Sequence, residues 1–500
     1  MSRLLTKSNG FHFYLLITFV IILGCAKNEP LAPTEEEQDN SLVFESFVFE
    51  QKNNPNFKKN VVFDIHANTI NGPLKHYYFN AIPTFTTNAT SVEINEEEQV
   101  SGSSSVDFRK GVTYTLKSAT GTFKKYTIIV AWDNKLPQVN ISTDGRVGIN
   151  SKTNFIPTKI TIDGQSKYND YTGRAQIRGR GNSTWTFPKK SYKFKLDEDS
   201  EILGLKAEKD WVLLANFLDG THLLNAVAMK IGQLLKMSYT NTIIPVELTL
   251  NGEFLGTYML TEQIEVKKNR VNTGKDGLLL SLDTNFDEPY QFQSASYRLP
   301  VTIKYPKEID ASKKNEIRKE FEAFEALIAD ANFPNNEYLD YFDETAFVQY
   351  LIVYMLTGNE EINHPKSTYI HKIKEGKYTM GPIWDFDWAF AFEGSLEHFS
   401  SFDIPLFWTS SAKGTQFFSR FLADPAMKAL LKTEWAAFQA NQLPELLTYI
   451  DEYAFIIRGA RTRDFVIWAQ GKNNYDVEVA NLKNWLSNRG RWMNGVIGAL

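Results

Sequence analysis

The length and composition of this 500-residue chain are those of a folded protein with two or three domains. Hydrophobic residues make up 43% of the chain and charged residues 23%, which excludes a protein that is disordered throughout. The net charge of −5, without a long run of lysine or arginine, argues against nucleic acid as the main partner. The single cysteine excludes an intramolecular disulfide and a cysteine-based zinc site.

Residues 1–25 predict a targeting segment. Arg3 and Lys7 precede an apolar run from Leu15 to Leu23, and the small Gly24 stands just before Cys25. The apolar run is shorter than the roughly 20 residues of a comfortable membrane span, which favours a cleaved signal. The pattern resembles a bacterial lipobox, which implies acylation of Cys25 and a lipid-anchored protein exported to the membrane or cell surface. A short uncleaved anchor with an incidental cysteine is the alternative.

Residues 26–40 and 41–135 predict a linker followed by a β-rich module. The first stretch is rich in proline, glutamate and polar residues and has no apolar period. The second contains short apolar or alternating runs, which are LVFESFVF, NVVFDIHA, HYYF, SVEI, SVDF, VTYTL and KYTIIVAW. Alternation with a period of two predicts an antiparallel, immunoglobulin-like β-sandwich that serves as a stalk or adhesion module. The turn at Leu136-Pro137 is the expected boundary.

Residues 138–500 begin with strand patterns and end with helix patterns. The segments VGINSKTNFIPTKITIDG, RAQIRGRG and SYKFKLD predict strands, Leu223–Leu235 predicts a helix, and Asn251-Gly252 predicts the turn of a hairpin. After Pro306, apolar residues three and four apart predict helices over Ile317–Ile328, Glu344–Leu356, Phe417–Gln439, Leu446–Ile457 and Val477–Leu486. We therefore expect a mixed lobe at about 138–305, a helical lobe at about 306–500, and a ligand cleft between them.

A basic, glycine-rich stretch opens the mixed lobe. The sequence RGRG at 178–181 places glycines, which allow close approach of the backbone to a ligand, beside arginines that hold phosphate or carboxylate groups. On the strand that follows, Lys193 and Lys195 share one face, while the other face is apolar, with Tyr192, Phe194 and Leu196. This pattern predicts either a phosphate-binding loop with a phosphate-binding lysine or a simple glycine turn beside a solvated strand face.

Two aspartates in an apolar surround form a second candidate site. Asp385 and Asp387 lie in WDFDW, directly after a strand pattern. Buried carboxylates need a cationic partner, and their hard oxygens suit Mg²⁺. The alternative is a structural turn in which arginine or backbone amides bind both acids.

The polar loop after the apolar helix FVQYLIVYML is a third candidate. It carries Asn359, Glu361, Asn363 and His364, and it leads through a strand to the two aspartates. We expect these residues near the same cleft, where they offer a candidate base and further metal ligands. His364 taken alone is more typical of a structural, hydrogen-bonded histidine than of a catalytic one, and the following Pro365 indicates a fixed turn.

Four ordered motifs carry a resemblance to a known family. They are RGRGNSTW with PKKSYKFKL two residues later, LGL with DWVLLANFLD four residues later, VELTLNGEFLGTYMLTEQI, and GPIWDFDWAF. Together, over about residues 140–400, they resemble the spore coat protein H (CotH) kinase family. The resemblance implies an atypical, two-lobed protein-kinase-like fold, ATP with Mg²⁺ or Mn²⁺ as cofactors, and phosphorylation of Ser or Thr in secreted or surface proteins.

The resemblance also implies roles for particular residues. It places Arg178, Gly179 and Gly181 in the nucleotide loop and assigns the phosphate contact to Lys193 or Lys195. It places Glu262 in the segment that joins the lobes. It assigns the metal to Asp385, Asp387 and Asn359. The loop after the long helix departs from the family pattern, because Asn359-Glu360-Glu361 stands where Asn-x-Asp is expected. Glu361, with Asp385, is then the candidate catalytic pair, although its longer side chain displaces the carboxylate by about one methylene.

The sequence thus predicts an α+β protein that phosphorylates hydroxyl groups outside the cytoplasm. Two alternatives remain: a surface-anchored module that binds or presents a ligand without catalysis, and a carbohydrate-active protein with a two-acid mechanism. In each case we expect a monomer, anchored to the membrane through Cys25, with a surface or secreted protein as the partner of the kinase.

Overall fold

A computed structural model describes residues 37–285, 288–407, 410–471 and 474–500. The predicted signal, Cys25 and most of the predicted linker lie outside these residues. Strands and helices are both abundant, as expected of an α+β protein. Within these ranges, no helix combines the length and the apolar composition needed to cross a bilayer.

The strands of residues 44–133 surround one aromatic core. They are β1 (Phe44–Phe49), β2 (Val61–Val62), β3 (Asp64–Ile65), β4 (Thr69–Lys75), β5 (Asn80–Ala81), β6 (Thr84–Thr87), β7 (Ser91–Ile94), β8 (Glu97–Glu98), β9 (Val106–Asp107), β10 (Val112–Lys117) and β11 (Phe123–Asp133). One sheet has the order β2-β1-β6, a second has the order β3-β4-β11-β10-β7-β8, and β5 pairs with β9. Phe44 and Phe47 of the first sheet pack edge-on against Tyr114 of the second, so both sheets bury their apolar faces together.

Two details of this region differ from the prediction. The β4–β11 pair is parallel, so the arrangement is not purely antiparallel. The run HYYF forms a short 3₁₀ turn at His76–Tyr78 instead of a strand. His76 is buried in this turn and its Nδ1 lies 2.6 Å from the carbonyl oxygen of Asp133, a contact that fixes the turn beside the end of β11. The immunoglobulin-like assignment and the domain boundaries stay predictions.

A closed seven-stranded barrel follows. Its strands are β12 (Gln138–Thr143), β13 (Ile156–Asp163), β14 (Tyr171–Arg180), β15 (Ser191–Ile202), β16 (Leu205–Leu214), β17 (Ile244–Leu250) and β18 (Glu253–Glu262), in the order β12-β13-β14-β15-β16-β18-β17. The parallel pair β12–β17 closes the barrel. The predicted alternation of β15 is confirmed, because Tyr192, Phe194 and Leu196 are buried in the barrel core.

The predicted turn at Asn251-Gly252 is also confirmed. Leu250 pairs with Glu253, and both turn residues have positive φ angles, 53° and 91°, as a two-residue hairpin requires. In contrast, only Ile156–Asp163 of the segment predicted as a strand at 147–164 is a strand. The preceding residues form a loop whose Ser151 carbonyl accepts a hydrogen bond of 2.9 Å from the Gly179 amide of β14.

A five-stranded sheet and most of the helices complete the fold. The sheet order is β20-β21-β19-β22-β23, with β19 (Leu278–Leu282), β20 (Gln291–Gln293), β21 (Pro300–Tyr305), β22 (Thr368–Lys372) and β23 (Thr379–Met380). It joins strands from both sides of the predicted lobe boundary at about 305. The helices are α1 (Leu224–Leu234), α2 (Ala311–Ala329), α3 (Tyr338–Tyr341), α4 (Glu344–Thr357), α5 (Lys413–Arg420), α6 (Pro425–Ala437), α7 (Leu443–Trp468) and α8 (Tyr475–Gly498).

Helix α4 runs through the largest core and leads directly to the polar loop at 359–367. The Asp343 side chain caps its first turn by accepting from the Ala346 amide at 3.0 Å, and Gly358 ends it in a left-handed conformation. The single helix predicted over Phe417–Gln439 is wrong. It is broken after Arg420, and Asp424 and Pro425 start a new helix because proline suits a first helical turn and not an interior one.

Candidate functional site

A cleft of about 660 Å³ opens between the barrel and the five-stranded sheet. Strands β14, β15 and β16 contribute Arg178, Lys193 and Leu214 to one side. Strands β19 and β21, the loop before β22 and the loop after β23 form the other side. The glycine-rich motif, the polar loop and the paired aspartates, which are far apart in the sequence, therefore meet in one cavity.

Asp385 and Asp387 lie on the wall opposite the barrel. Burial, opposed by Arg180, raises the pKa of Asp385. Burial and then the charge of Asp385 raise the pKa of Asp387 to about 7. Both residues keep some exposure to the cleft. The two carboxylates therefore repel each other in an enclosed space where the nearby positive charge does not balance them.

The loop that carries Asp385 is held in an unusual conformation. Asp385 has a φ angle of 69°, in the left-handed region that few residues other than glycine and asparagine adopt. Its Oδ2 accepts from Ser367 Oγ at 3.3 Å, while Asn225 of α1 donates to Asp387 Oδ1 at 2.6 Å. The Asn225 Oδ1 also accepts from the Phe386 amide at 3.1 Å. These contacts hold the aspartates toward the cavity.

Glu361 lines the same cleft and is 7% exposed. Burial raises its pKa well above the ordinary value, the charge of Asp385 raises it further, and Lys366 opposes both effects. Its amide donates to the Asn359 side chain at 3.0 Å, which fixes the start of the loop. Glu361 is therefore placed to contact a group bound between the two walls.

The basic wall includes some of the predicted residues. Arg178 lines the cleft, lies over the Phe155 ring and donates to the Lys152 carbonyl. Lys193 also lines it, but its ammonium group lies 2.7 Å from the Asp210 carboxylate. Lys195 is exposed and does not line the cleft.

The two glycines of the motif have different surroundings. Gly181 lines the cleft with a φ angle of 92°. A Cβ atom there would lie 1.9 Å from Thr184 Oγ1, so only glycine fits. Gly179 instead faces the Trp185 ring, which a Cβ atom would approach to 2.2 Å. Gly179 thus allows close packing beside the cleft and is not among the residues that line it.

Several other predicted residues do not line the cleft. Glu262 is buried and accepts from the Thr242 amide at 2.8 Å at the end of β18. The Asn359 amide group donates to the Asp385 carbonyl at 3.3 Å, so it positions the aspartate loop. The Asn363 side chain binds the carbonyls of Glu360 and Leu406, and His364 pairs with Glu393 outside the cleft lining.

Two further residues, Arg180 and Asn225, lie near the aspartates. Arg180 lies over the Trp384 ring, 5.3 Å from its centroid, and its charge opposes the rise in the pKa of Asp385 and of Asp387. Asn225 comes from α1, 160 residues earlier in the chain than Asp385. Arg180 belongs to the RGRG motif, whose arginines were predicted to hold phosphate or carboxylate groups, whereas no sequence pattern singles out Asn225.

The donor set fits a divalent cation that is shared with a phosphate ligand. Among the described residues, no group of three or more His, Cys, Asp and Glu side chains suits a metal ion. Asp385 and Asp387 supply two carboxylates, and Mg²⁺ commonly binds to one or two carboxylates with water and substrate phosphates completing its shell. The raised pKa values of the pair fit the same interpretation, because a cation would balance their charge.

Comparison with known families gives one result. The family described as CotH kinase protein matches residues 177–493, which is more than half of the chain. The match starts in β14, includes the cleft residues from Arg178 onward and ends in α8. It begins later than the range of about 140–400 that suggested the resemblance and ends well past it. No curated protein matches the chain.

Proposed function

We propose that this chain, which belongs to the CotH kinase family, transfers the terminal phosphoryl group of ATP to Ser or Thr hydroxyls of proteins outside the cytoplasm. The observation that carries the proposal is the pair Asp385 and Asp387, enclosed with unbalanced charge in a cleft whose other wall is basic. Phosphoryl transfer depends mainly on positioning and on balancing charge, and the cleft offers both.

The aspartates would hold Mg²⁺ or Mn²⁺ through their carboxylates. When bound, that ion balances the charge of the nucleotide phosphates. Arg178 and Arg180 lie on the opposite wall, where guanidinium groups can bind phosphate oxygens with two donors each. Asn225 and Ser367 keep the carboxylates oriented toward the cavity. Lys193 is a weaker candidate for a phosphate contact, because Asp210 already pairs with it.

Glu361 is the proposed base for the acceptor. The hydroxyl oxygen would bond to the terminal phosphorus as the bond from phosphorus to the bridging oxygen breaks, with ADP as the leaving group. The hydroxyl proton would pass to Glu361, provided that this carboxyl is ionised. Burial and Asp385 oppose its ionisation, and Lys366 favours it.

That raised pKa supports a second candidate function. If Glu361 keeps its proton at neutral pH, it cannot accept one from a hydroxyl group. The protein would then bind nucleotide without transferring phosphate and act as a surface-anchored binding or scaffold module. The basic side chains that face the paired aspartates disfavour the carbohydrate-active alternative.

The finer assignments belong to the same proposal. We infer that residues 41–135 form an immunoglobulin-like module and that residues 138–500 form a two-lobed, kinase-like domain. Acylation of Cys25 would hold the protein at the membrane or cell surface, where a surface or secreted protein would be the acceptor. The protein would act as a monomer.

Calorimetric titration of the purified chain with ATP, with and without Mg²⁺, tests the proposal. We expect Mg²⁺-dependent binding that weakens about 100-fold or more in Asp385→Asn and in Asp387→Asn, the loss of about 2.7 kcal/mol of binding free energy. Asp451→Asn, an exposed aspartate of α7, is the matched control and should bind as the wild type does. Unchanged ATP affinity in both cleft variants would refute the nucleotide site.

Glu361→Gln separates transfer from binding. We expect it to keep ATP affinity and to lose phosphate transfer to protein, measured with radiolabelled ATP. Wild-type protein that binds ATP and transfers no phosphate to itself or to surface-protein extracts would favour the non-catalytic candidate.

A further inference from the structure

A second groove, of about 790 Å³, lies behind the loop that carries the paired aspartates. One wall is the loop from Phe392 to Phe402, and the other is a face of α8 that presents Asn481, Asn484 and Asn488. We name this cavity the asparagine groove. Trp388 lines the cleft and Phe392 lines the groove, and their ring centroids are 6.0 Å apart. The two cavities are therefore in contact through this aromatic pair.

The asparagines form a ladder suited to a peptide backbone. Their spacing of three and four residues places them on one face of α8. Asn484 and Asn488 are about 6 Å apart along the helix axis, close to the roughly 6.6 Å between alternate residues of an extended peptide. Each asparagine amide offers donors and an acceptor, as each peptide unit does. Among the described residues, the side chains of Asn481 and Asn484 have no hydrogen-bond partner, whereas Asn488 Oδ1 accepts from Arg491.

The opposite wall exposes apolar side chains that the fold does not use. Leu396 is 70% exposed and has a φ angle of 58°, so it combines a left-handed backbone with an apolar side chain in solvent. Phe402 is 40% exposed on the same wall. Both features cost stability and bury little surface within the chain. An exposed apolar patch beside a polar ladder is typical of a surface that contacts another molecule.

The charges of the groove limit its ligand. Asp219, Glu397 and Glu478 line it, and no lysine or arginine is among the lining residues in the described part of the chain. Glu478 is paired with Arg461, and Asp219 accepts hydrogen bonds from the amides of Thr221 and of Leu224, the first residue of α1. Glu397 is the remaining acid of the lining, and no lysine or arginine of the lining offsets it, which disfavours an acidic ligand.

We propose that the asparagine groove binds an extended segment of a protein, with the asparagine amides on its backbone, an apolar side chain against Leu396 and Phe402, and no acidic residue in the bound stretch. Because Trp388 of the cleft packs against Phe392 of the groove, the two cavities are close together, and the bound protein would be the phosphate acceptor. This last step rests on the proposed function, whereas peptide binding itself does not.

Fluorescence anisotropy with defined probes tests the proposal on the purified full chain. The probes are the labelled peptide TQLTSTLQT, its counterpart TQETSTEQT with glutamate for leucine, and unlabelled maltohexaose as a carbohydrate competitor. We expect the leucine peptide to bind at least tenfold more tightly than the glutamate peptide. The double variant Asn484→Ala/Asn488→Ala and the single variant Leu396→Asn should each weaken it about tenfold, the effect of losing one or two hydrogen bonds or one apolar contact.

The variants keep the fold and the cleft intact. Alanine suits a helix better than asparagine, and asparagine tolerates the left-handed backbone at position 396. Asn315→Ala, an exposed asparagine of α2, is the matched control and should leave peptide affinity unchanged. All variants should bind ATP as the wild type does. Failure of ATP binding in the wild type would refute the proposed function, but the peptide titration would still test the groove.

Three results would overturn the peptide assignment. The first is that the leucine peptide binds the groove variants as tightly as the wild type. The second is that this peptide does not bind the wild type, and the third is that maltohexaose displaces it. The last of these would assign the groove to carbohydrate.

Discussion

The carboxylate of Asp464 and the carboxylates of Asp385 and Asp387 are all enclosed by protein, yet their pKa values are shifted in opposite directions. Burial opposes ionisation of Asp464, but His222 and Lys189 outweigh it and lower its pKa to about 2. Lys189 Nζ lies 2.7 Å from Asp464 Oδ1, His222 Nε2 lies 3.2 Å from Oδ2, and the Thr257 amide donates at 2.7 Å. At Asp387, burial and Asp385 outweigh Asn225 and raise the pKa to about 7.

The opposite pKa shifts distinguish a carboxylate that stabilises the fold from carboxylates that are available to bind a ligand. The Asp464 carboxylate joins α7 to the barrel and has partners for both oxygens, so it needs no ligand. The Asp385–Asp387 pair lacks such compensation and faces a cavity. An enclosed acid with a lowered pKa therefore indicates a role in stability, and one with a raised pKa in a cleft indicates a functional site.

The largest effect is expected from Asp464→Asn. The substitution leaves the buried Lys189 ammonium without its counter-ion, so we expect a loss of about 3 to 5 kcal/mol in the free energy of unfolding. Urea denaturation followed by circular dichroism measures it. A loss below about 1 kcal/mol would show that the pair contributes no more than an exposed ion pair, and the comparison would fail.

Acid should remove the contribution of Asp464 in a defined pH window. Its folded pKa of about 2 lies below the ordinary 3.8, so the unfolded chain binds the proton more readily. The stabilisation is complete above about pH 4 and is lost as the pH falls to 2 and below, by about 2.5 kcal/mol in all. The difference in unfolding free energy between wild type and Asp464→Asn should shrink across that window. A constant difference from pH 5 to pH 2 would contradict the lowered pKa.

Asp387→Asn should change the free energy of unfolding in the opposite direction and stabilise the protein at high pH. The folded pKa of Asp387, about 7, lies above 3.8, so without metal the wild type loses stability as the pH rises from about 4 to 7. The variant lacks this charge and should be more stable than wild type by up to about 4 kcal/mol at pH 8, a difference that nearly disappears near pH 4. Thermal unfolding in the presence of a metal chelator measures the difference.

Mg²⁺ provides the control for that experiment. Added Mg²⁺ should raise the melting temperature of the wild type and not that of Asp387→Asn, because only the wild type keeps both carboxylates. A variant that is less stable than wild type at pH 8 would place Asp387 with the structural charges.

Local patterns were sufficient for those parts of the fold that local chemistry determines. Asn251-Gly252 marked the hairpin because both residues tolerate positive φ angles. The apolar face of β15 followed from alternation alone. The break before α6 was missed although Asp424-Pro425 is a helix-start signal, because apolar spacing continues across it.

Long-range contacts limited what could be predicted of the site. The motifs identified the cleft and its aspartates, since their residue types carry the chemistry. Which glycine or lysine faces the cavity depends on tertiary packing that the residue types do not reveal, such as the Trp185 ring against Gly179 and, from the neighbouring strand, Asp210 beside Lys193. Asn359 and Glu262 were predicted to act in the site, but their polar atoms bind backbone groups of neighbouring segments.

The smallest effect is expected from Asp451→Asn, which isolates burial as the variable. Asp451 lies on α7, as Asp464 does, and Lys483 of α8 approaches it to 2.6 Å, about the distance between Lys189 and Asp464. The Asp451 side chain is 50% exposed, so water screens the pair, and the substitution should change the free energy of unfolding by about 0.5 kcal/mol or less. Salt should reduce even that effect. The same denaturation experiment compares both variants, and equal losses would mean that ion-pair distance, and not enclosure, decides what a charge contributes to this fold.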